Sequence, residues 1–167
     1  MPDFHRTELD GAWIVDPDVY KDDRGYFFQS WSKIEYELCG VANKWVQDNE
    51  SKSCYGVLRG LHYQVGPYTQ AKLVRCVKGH VYDVIVDIRK ESSTFGKWIG
   101  VDLTEDNHRQ LFVPKGFAHG FVVLSPEAIF QYKVDEKWNR NSERGIRFDD
   151  PFLNIDWRIP KEDMILS

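Results

Sequence analysis

The sequence predicts a mainly β domain, a small sandwich or barrel, and three observations point to it. Between residues 44 and 134, runs rich in Val, Ile, Phe and Tyr alternate with short turns of Gly, Pro, Asn, Asp and Ser. Many short strands at such spacing are typical of sandwiches and barrels. Only short helices are predicted. The length of 167 residues suits one domain with a substantial core, so we predict a single domain over 1–167.

Short elements are predicted outside this strand-rich region. A strand from Trp13 to Asp16 should end at Pro17, since proline cannot continue a ladder of hydrogen bonds. Ser32 should cap a short helix over 33–39 that ends at Gly40. The remaining predictions are a turn at 22–25, a strand at 26–29, and a polar, loop-like tail after 139 with a turn at 149–151.

The strands 73–77 and 80–87 flank Lys78-Gly79 and are predicted to form a hairpin. Because side chains alternate along a strand, Lys72 and Asp83 should share a face with Val, Cys and Ile. Two interpretations stay open at this point. The pair is either an exposed ion pair on an outer face or a polar group that lines the lumen of a barrel.

Composition argues against several classes of protein. The net charge of −4 argues against a nucleic-acid-binding domain. No apolar run approaches the roughly 18 residues that a spanning helix needs, and no secretory signal is recognised at the N terminus. The cysteines, Cys39, Cys54 and Cys76, are odd in number and lack CxxC spacing. We therefore expect no membrane span, no zinc cage and a cytoplasmic location.

Two of the five histidines are candidates for chemistry. His62 and His119 each lie in an apolar, glycine-punctuated strand, whereas His5, His80 and His108 are predicted to be exposed or at edges. The spacing Pro114-x-Gly116-x-x-His119 resembles the second motif of the cupin superfamily of small β-barrels. Many cupins bind a metal, but the segment around His62 supplies neither a second histidine nor a glutamate. We therefore expect no metal and no cofactor.

A more specific resemblance covers nearly the whole chain. The sequence resembles the dTDP-4-keto-6-deoxyglucose 3,5-epimerases, also called dTDP-4-dehydrorhamnose 3,5-epimerases. The matching stretches occur in the family's order and spacing: DDRGYF (22–27), QDNES (47–51), GVLRGLHYQ (56–64), QAKLVR (70–75), DVIVDIR (83–89), PKGFAHGF (114–121) and IDW (155–157). The resemblance implies a cupin-like jelly-roll β-barrel with a few short helices.

The resemblance also implies a cofactor-free reaction on a dTDP-sugar at the carbons that flank a keto group. Such a reaction needs a base for the α proton, positive charge beside the enolate oxygen, and an acid on the opposite face. His62 matches the family's base, Lys72 the residue beside the enolate oxygen, and Tyr132 the acid. Asp83 is expected to hold Lys72 in its charged form.

The resemblance assigns a second group of residues to substrate binding. Arg24, Gln47, Asn49 and Arg59 match contacts to the nucleotide and diphosphate, and His119 is included in the binding set. Arginine suits phosphate because its planar fork makes paired, charge-assisted hydrogen bonds.

Three departures from the family pattern affect the site. Gln29 stands where the family has a glutamate near the nucleotide base, and Trp138 stands where the family has a tyrosine. Family members also continue beyond the position of Ser167 with an aspartate that pairs with the base histidine. Either that partner lies outside this sequence, or another group orients His62.

The resemblance predicts the assembly, and it leaves alternatives open for the activity. The resemblance implies a homodimer whose N-terminal strands join the neighbouring sheet, with Arg24 of one chain reaching the partner's pocket. The departures at Gln29 and Trp138 keep open a single-carbon epimerase or one that acts on a related nucleotide sugar. A non-catalytic cupin domain that only binds sugar nucleotides is the third reading.

Overall fold

The computed structural model describes residues 1–41 and 43–167, and strands dominate it. The single α-helix of this described part, α1, spans Lys33–Leu38, and short 3-10 turns lie at Gly66–Tyr68 and Lys161–Asp163. The strands are β1 (Asp3–Arg6), β2 (Trp13–Asp16), β3 (Tyr20–Asp22), β4 (Gly25–Phe27), β5 (Gln47–Cys54), β6 (Val57–Gln64), β7 (Lys72–Lys78), β8 (His80–Asp87), β9 (Trp98–Thr104), β10 (Gln110–Val113), β11 (Phe117–Val123), β12 (Glu127–Val134), β13 (Glu143–Gly145) and β14 (Ile165–Leu166).

Two sheets face each other in a jelly-roll sandwich, which confirms the predicted mainly β architecture. The first sheet has the order β1-β2-β10-β7-β12-β5, and the second has the order β13-β6-β11-β8-β9. Neighbouring strands within both orders are antiparallel, while β14 adds to β6 in parallel. Strands β3 and β4 form a separate hairpin.

Apolar side chains fill the space between the sheets and cover both outer faces. The inter-sheet core includes Val74, Ile85, Leu111 and Phe130. Helix α1 and the N-terminal segment cover the first sheet, and the tail covers the second through Leu153, Trp157 and their neighbours. The tail was predicted to be polar and loop-like, but its apolar residues pack against the second sheet. They are scattered along the sequence without a regular period, so the sequence pattern did not reveal this layer. The predicted turn at 149–151 is confirmed.

The predicted β7–β8 hairpin is wrong, although the predicted faces are right. Strand β7 pairs with β10 and β12 in the first sheet, whereas β8 pairs with β9 and β11 in the second. Both edges of each strand are thus occupied, and the loop at Gly79 connects opposing sheets. Lys72 and Asp83 therefore approach each other across the sandwich and not along a hairpin.

The N-terminal predictions are largely confirmed. Strand β2 has the predicted bounds, and the side chain of Ser32 caps α1 by accepting a hydrogen bond from the backbone N–H of Glu35. The helix ends at Leu38, one residue earlier than expected, and Gly40 follows with a φ of 78°. Strand β4 is shorter than predicted because it ends at Phe27. Within the described ranges, no helix is long and apolar enough to cross a membrane.

Candidate active site

An open cavity of about 200 Å³ lies between the two sheets. Strands β5, β7 and β12 of the first sheet and β6 and β11 of the second contribute to its wall. Pockets that enclose a whole drug-sized ligand are usually about 300–1,000 Å³, so this cavity encloses only part of such a ligand. The lining residues are Asn49, Glu50, Ser51, Arg59, His62, Lys72, His119, Phe121, Phe130, Tyr132 and Ser167.

Two glycines bring the histidines of the cavity into register. His62 on β6 and His119 on β11 are directly opposite in the ladder, and the register shifts between His119 and Phe121. A Cβ atom at Gly120 would lie 2.7 Å from the carbonyl oxygen of Arg59, and one at Gly60 would lie 2.5 Å from the Cα of Gly120. Only glycine permits this close backbone approach, which places both imidazoles on the wall of one cavity.

A chain of polar groups runs from the buried Asp83 and His119 to the partly buried Lys72. Both carboxylate oxygens of Asp83 lie close to Nε2 of His119, at 3.0 and 2.8 Å, and Asp83 is fully buried. Because a carboxylate only accepts, Nε2 carries the proton and donates it. Nδ1 of His119 is then free to face the ammonium of Lys72, whose Nζ lies 3.5 Å away. Asp83 was expected to hold Lys72 charged by itself, but His119 stands between them.

Burial shifts the pKa values of both Lys72 and Asp83. Burial lowers the pKa of Lys72 to about 8, while Asp83 and, more weakly, Glu143 act to raise it. Burial also raises the pKa of Asp83, against the lowering effects of His119 and Lys72. Desolvation disfavours whichever form is charged, so a lysine and a carboxylate in one interior shift in opposite directions. Lys72 therefore titrates close to neutrality and can carry charge or exchange a proton there.

His62 is more accessible, since 46% of its side chain is exposed. Burial lowers the pKa of His62, and the carboxylate of Glu143 opposes this by raising it. The Nδ1 atom of His62 lies 4.0 Å from Oε1 of Glu143. The indole Nε1 of Trp138 donates to the other oxygen of Glu143 at 3.2 Å. Because its pKa is lowered, the imidazole of His62 is neutral at neutral pH and can accept a proton from a bound ligand.

An aromatic wall carries Tyr132. The rings of Phe121 and Phe130 stack with centroids 4.2 Å apart, and the ring of Tyr132 lies 6.0 Å from that of Phe130. The ammonium of Lys72 lies 5.7 Å from the centre of the Tyr132 ring. Tyr132 belongs to the first sheet, whereas His62 belongs to the second. A ligand held between the sheets therefore meets a phenol and an imidazole from different sides.

Arg59 and Asn49 are the predicted binding residues that line this cavity beside His119. The Nε atom of Arg59 donates to Oγ of Ser53 at 3.1 Å, which fixes the direction of the guanidinium. Gln47 is exposed at the start of β5 and donates from Nε2 to Oδ1 of Asn49 at 2.8 Å. These side chains form a polar rim that can accept a phosphate-bearing ligand.

Besides Gln47, three predicted binding residues do not line the cavity. Arg24 lies on the turn between β3 and β4, where 91% of its side chain is exposed and its guanidinium pairs with Asp22. Gln29 is exposed beyond β4, and Trp138 is exposed but contacts Glu143. The hairpin that carries Arg24 packs outside the sandwich, so a single chain does not bring Arg24 and Gln29 to His62.

Several residues at or beside the cavity were not predicted. Glu50 and Ser51 follow Asn49 on β5, and Phe121 and Phe130 could have been found from strand alternation beside His119 and Tyr132. No local sequence pattern could have predicted the approach of Glu143 to His62, because it depends on the pairing of β13 with β6. Ser167 also lines the cavity.

The described part of the chain, 1–41 and 43–167, contains no group of three or more His, Cys, Asp or Glu side chains placed to hold a metal ion. The cavity instead gathers two imidazoles, a lysine and a tyrosine. A jelly roll that presents such groups between its sheets belongs to the class of cupin-like enzymes, here equipped for acid–base chemistry. The chain belongs to the dTDP-4-dehydrorhamnose 3,5-epimerase family, whose sequence model matches residues 6–167.

Known relatives agree with this membership. The dTDP-4-dehydrorhamnose 3,5-epimerase of Shigella flexneri is 53% identical over 163 residues, which are 97% of this chain and 89% of the relative. The crystal structure of the enzyme from Bacillus anthracis str. Ames, with TDP and PPi bound, aligns with a TM-score of 0.97 at 45% identity, over 100% of this chain and 95% of that one. A Legionella pneumophila epimerase in complex with dTDP-4-keto-L-rhamnose gives a TM-score of 0.95 at 47% identity, over 100% and 88% of the two chains.

Proposed function

We propose that this chain is a dTDP-4-dehydrorhamnose 3,5-epimerase that inverts C3 and C5 of dTDP-4-keto-6-deoxy-D-glucose to give dTDP-4-keto-L-rhamnose. Membership of the family and the ligand of the Legionella relative support this substrate. One observation of the site carries the proposal. His62 and Tyr132 come from opposing sheets and line the same cavity, with Lys72 beside them. This arrangement suits the inversion of a carbon, because the proton leaves one face and returns to the other.

Each inversion is a pair of proton transfers. His62 removes the proton α to the C4 carbonyl, and the electrons of the broken C–H bond form the enolate, with its charge on the C4 oxygen. Lys72 supplies positive charge beside that oxygen, while His119 and Asp83 hold the ammonium in place. Tyr132 then donates its phenolic proton to the opposite face of the carbon. Proton exchange with solvent restores His62 and Tyr132, so the reaction is a net isomerisation that uses no cofactor.

The nucleotide and diphosphate extend from the cavity across the polar rim. Arg59 and Asn49 line the cavity and are assigned to the diphosphate and nucleotide, with Gln47 next to them. Arg24 lies on the β3–β4 hairpin and Gln29 lies just beyond it. Both act in the pocket of a partner chain. Residues 1–167 form one epimerase domain, and the enzyme works in the cytoplasm.

The active form is a homodimer with exchanged N-terminal strands. The β3–β4 hairpin exposes Tyr20, Tyr26 and Phe27, the last with 67% of its surface free, and such apolar surface suits an interface. Strand β1 ends the order of the first sheet, where a strand from a second copy can add. Light scattering should give twice the chain mass of 19.6 kDa, whereas a monomer at working concentration would contradict the dimer.

The activity is tested by NMR of the keto-sugar nucleotide in deuterated water. The native enzyme should incorporate deuterium at both C3 and C5 and form the L-rhamno product. His62→Ala should abolish exchange and turnover, because no enolate forms. Tyr132→Phe should lower epimerisation but keep some exchange, since His62 can return a solvent proton to the same face. Loss of a positioned acid or base commonly costs ~10²–10⁴-fold in rate.

Matched variants control for the loss of an imidazole or hydroxyl elsewhere. His80→Ala and Tyr63→Phe alter a histidine and a tyrosine that do not line the cavity, and both should retain native rates. Exchange confined to one carbon would indicate a single-carbon epimerase. Binding without exchange would indicate a non-catalytic domain, and native exchange in His62→Ala would refute the assignment of the base.

A further inference from the structure

Glu143 and Trp138 form a unit behind His62 that the catalytic roles above leave unused. Strand β13 pairs with β6 so that Gly145 is opposite His62, which brings Glu143, two residues before Gly145, close to the imidazole. One carboxylate oxygen of Glu143 lies 4.0 Å from Nδ1 of His62. The other oxygen accepts a hydrogen bond from the Trp138 indole at 3.2 Å. The indole therefore restrains a carboxylate that faces the imidazole.

We propose that Glu143 is a positioning residue for His62 and that Trp138 holds Glu143 in place by its indole N–H. This inference rests on the proposed function, in which His62 is the base. At 4.0 Å the contact is an electrostatic one and too long for a hydrogen bond. Its direction still matters, because a carboxylate on the Nδ1 side favours the proton there and leaves Nε2 as the nitrogen that takes the substrate proton.

The charges around His62 make this contact matter for base strength. Lys72 on β7, His119 on β11 and Arg59 on β6 all act to lower the pKa of His62, and burial lowers it most. Glu143 is the group that raises that pKa. Without the carboxylate, the cationic surroundings would make His62 a weaker base and would disfavour the imidazolium that forms after proton abstraction.

The expected size of the effect follows from exposure. The side chains of His62 and Glu143 are 46% and 39% exposed, so solvent weakens their interaction. Pairs this exposed typically shift a pKa by several tenths of a pH unit and by at most about one unit. A shift in this range changes the strength of the base but leaves the fold intact. Rate and pH dependence are therefore better measures than stability.

The test combines an NMR titration of His62 with the pH dependence of kcat/KM, which reports the ionisations of the free enzyme. In Glu143→Gln, the pKa of His62 should fall by several tenths of a unit, and the acidic limb of the kcat/KM profile should move to lower pH by the same amount. The plateau of kcat should fall roughly three- to tenfold, since the base is weaker. Trp138→Phe should give smaller shifts in the same directions, because the carboxylate of Glu143 remains but loses the hydrogen bond from the indole. Glu91→Gln removes an exposed carboxylate from a distant turn and should change neither quantity.

Two further measurements separate this inference from its alternatives. Glu143→Asp keeps the charge, so the pKa of His62 should return part of the way to its native value. This variant thereby distinguishes loss of the charge from loss of rate by misfolding. A fall in kcat without movement of the His62 titration or the acidic limb would show a merely structural role and overturn the proposal. The titration needs no turnover. If the native protein failed to epimerise while Glu143→Gln still shifted His62, the proposed function would fail and the contact would stand.

Discussion

Lys72→Met should make the folded protein more stable while it removes most of the activity. The pKa of Lys72 is lowered from an ordinary 10.5 to about 8, which means that the interior penalises the ammonium. At about 1.4 kcal/mol per pH unit, the penalty near neutral pH is on the order of 3 kcal/mol. Methionine has a similar shape and no charge, and Asp83 keeps its hydrogen bonds to His119 when Lys72 is replaced, so no buried charge is left without a partner. We therefore expect the free energy of unfolding to rise, by about 3 kcal/mol at most.

The pH dependence of this gain has a definite sign. Below pH 8 the folded protein holds the penalised ammonium. Between about 8 and 10.5 the unfolded chain keeps this proton while the folded chain releases it, so the native protein regains stability as pH rises. The advantage of Lys72→Met should thus be largest near neutral pH and shrink toward about pH 10. Urea unfolding of both proteins across this range measures the difference. A variant that is less stable near neutral pH, or whose difference does not depend on pH, would refute the reasoning.

The same substitution tests the role of Lys72 in catalysis. Removal of one group that stabilises an oxyanion commonly costs ~10²–10³-fold in kcat. Because Lys72 must be charged to oppose the enolate, native activity should decline as pH rises through about 8. The residual activity of Lys72→Met should lack that alkaline limb. Deuterium exchange at C3 and C5 should fall in parallel with turnover, since both pass through the enolate. Exchange at the native rate would mean that Lys72 acts only on ligand binding.

Three further predictions concern the frame of the site. Arg59→Lys should raise KM roughly ten- to hundredfold and change kcat less, because it loses a fork of charge-assisted hydrogen bonds; an unchanged KM in steady-state assays would remove Arg59 from the diphosphate site. Gly120→Ala places a Cβ 2.7 Å from the Arg59 carbonyl oxygen and should lower kcat up to ~10²-fold by moving the strands apart; a native rate would show that their spacing is not critical. Turnover should survive EDTA, and a loss restored by one added metal would overturn the metal-free mechanism.

The sequence was sufficient to predict the elements and most of the cavity. Alternation along β7 and β8 placed Lys72 and Asp83 on faces that do point into the sandwich. The glycines beside His62 and His119 lie where these two strands approach closely. These are local signals, since side-chain period and backbone freedom belong to the segment itself.

The failures concern contacts between distant segments. A two-residue loop usually closes a hairpin, but the loop at Gly79 crosses between sheets because β7 and β8 each have two other partners. His119 intervenes between Asp83 and Lys72 only because β11 and β7 face each other across the core. Glu143 reaches His62 only after the tail folds back to place β13 beside β6. No sequence period encodes such choices, which depend on global packing.

The placement of Asp83 explains why the site tolerates a penalised lysine. A fully buried carboxylate would itself be costly if it lacked partners. His119 provides two contacts, at 2.8 and 3.0 Å, and its other ring nitrogen faces Lys72. The three side chains thus relieve part of one another's desolvation but leave Lys72 with a pKa near 8. A lysine fully neutralised by a direct ion pair would have less charge to offer an enolate oxygen. An imidazole between the two keeps the ammonium in place and its charge available, so the residual instability at Lys72 is what allows it to stabilise the reacting oxygen.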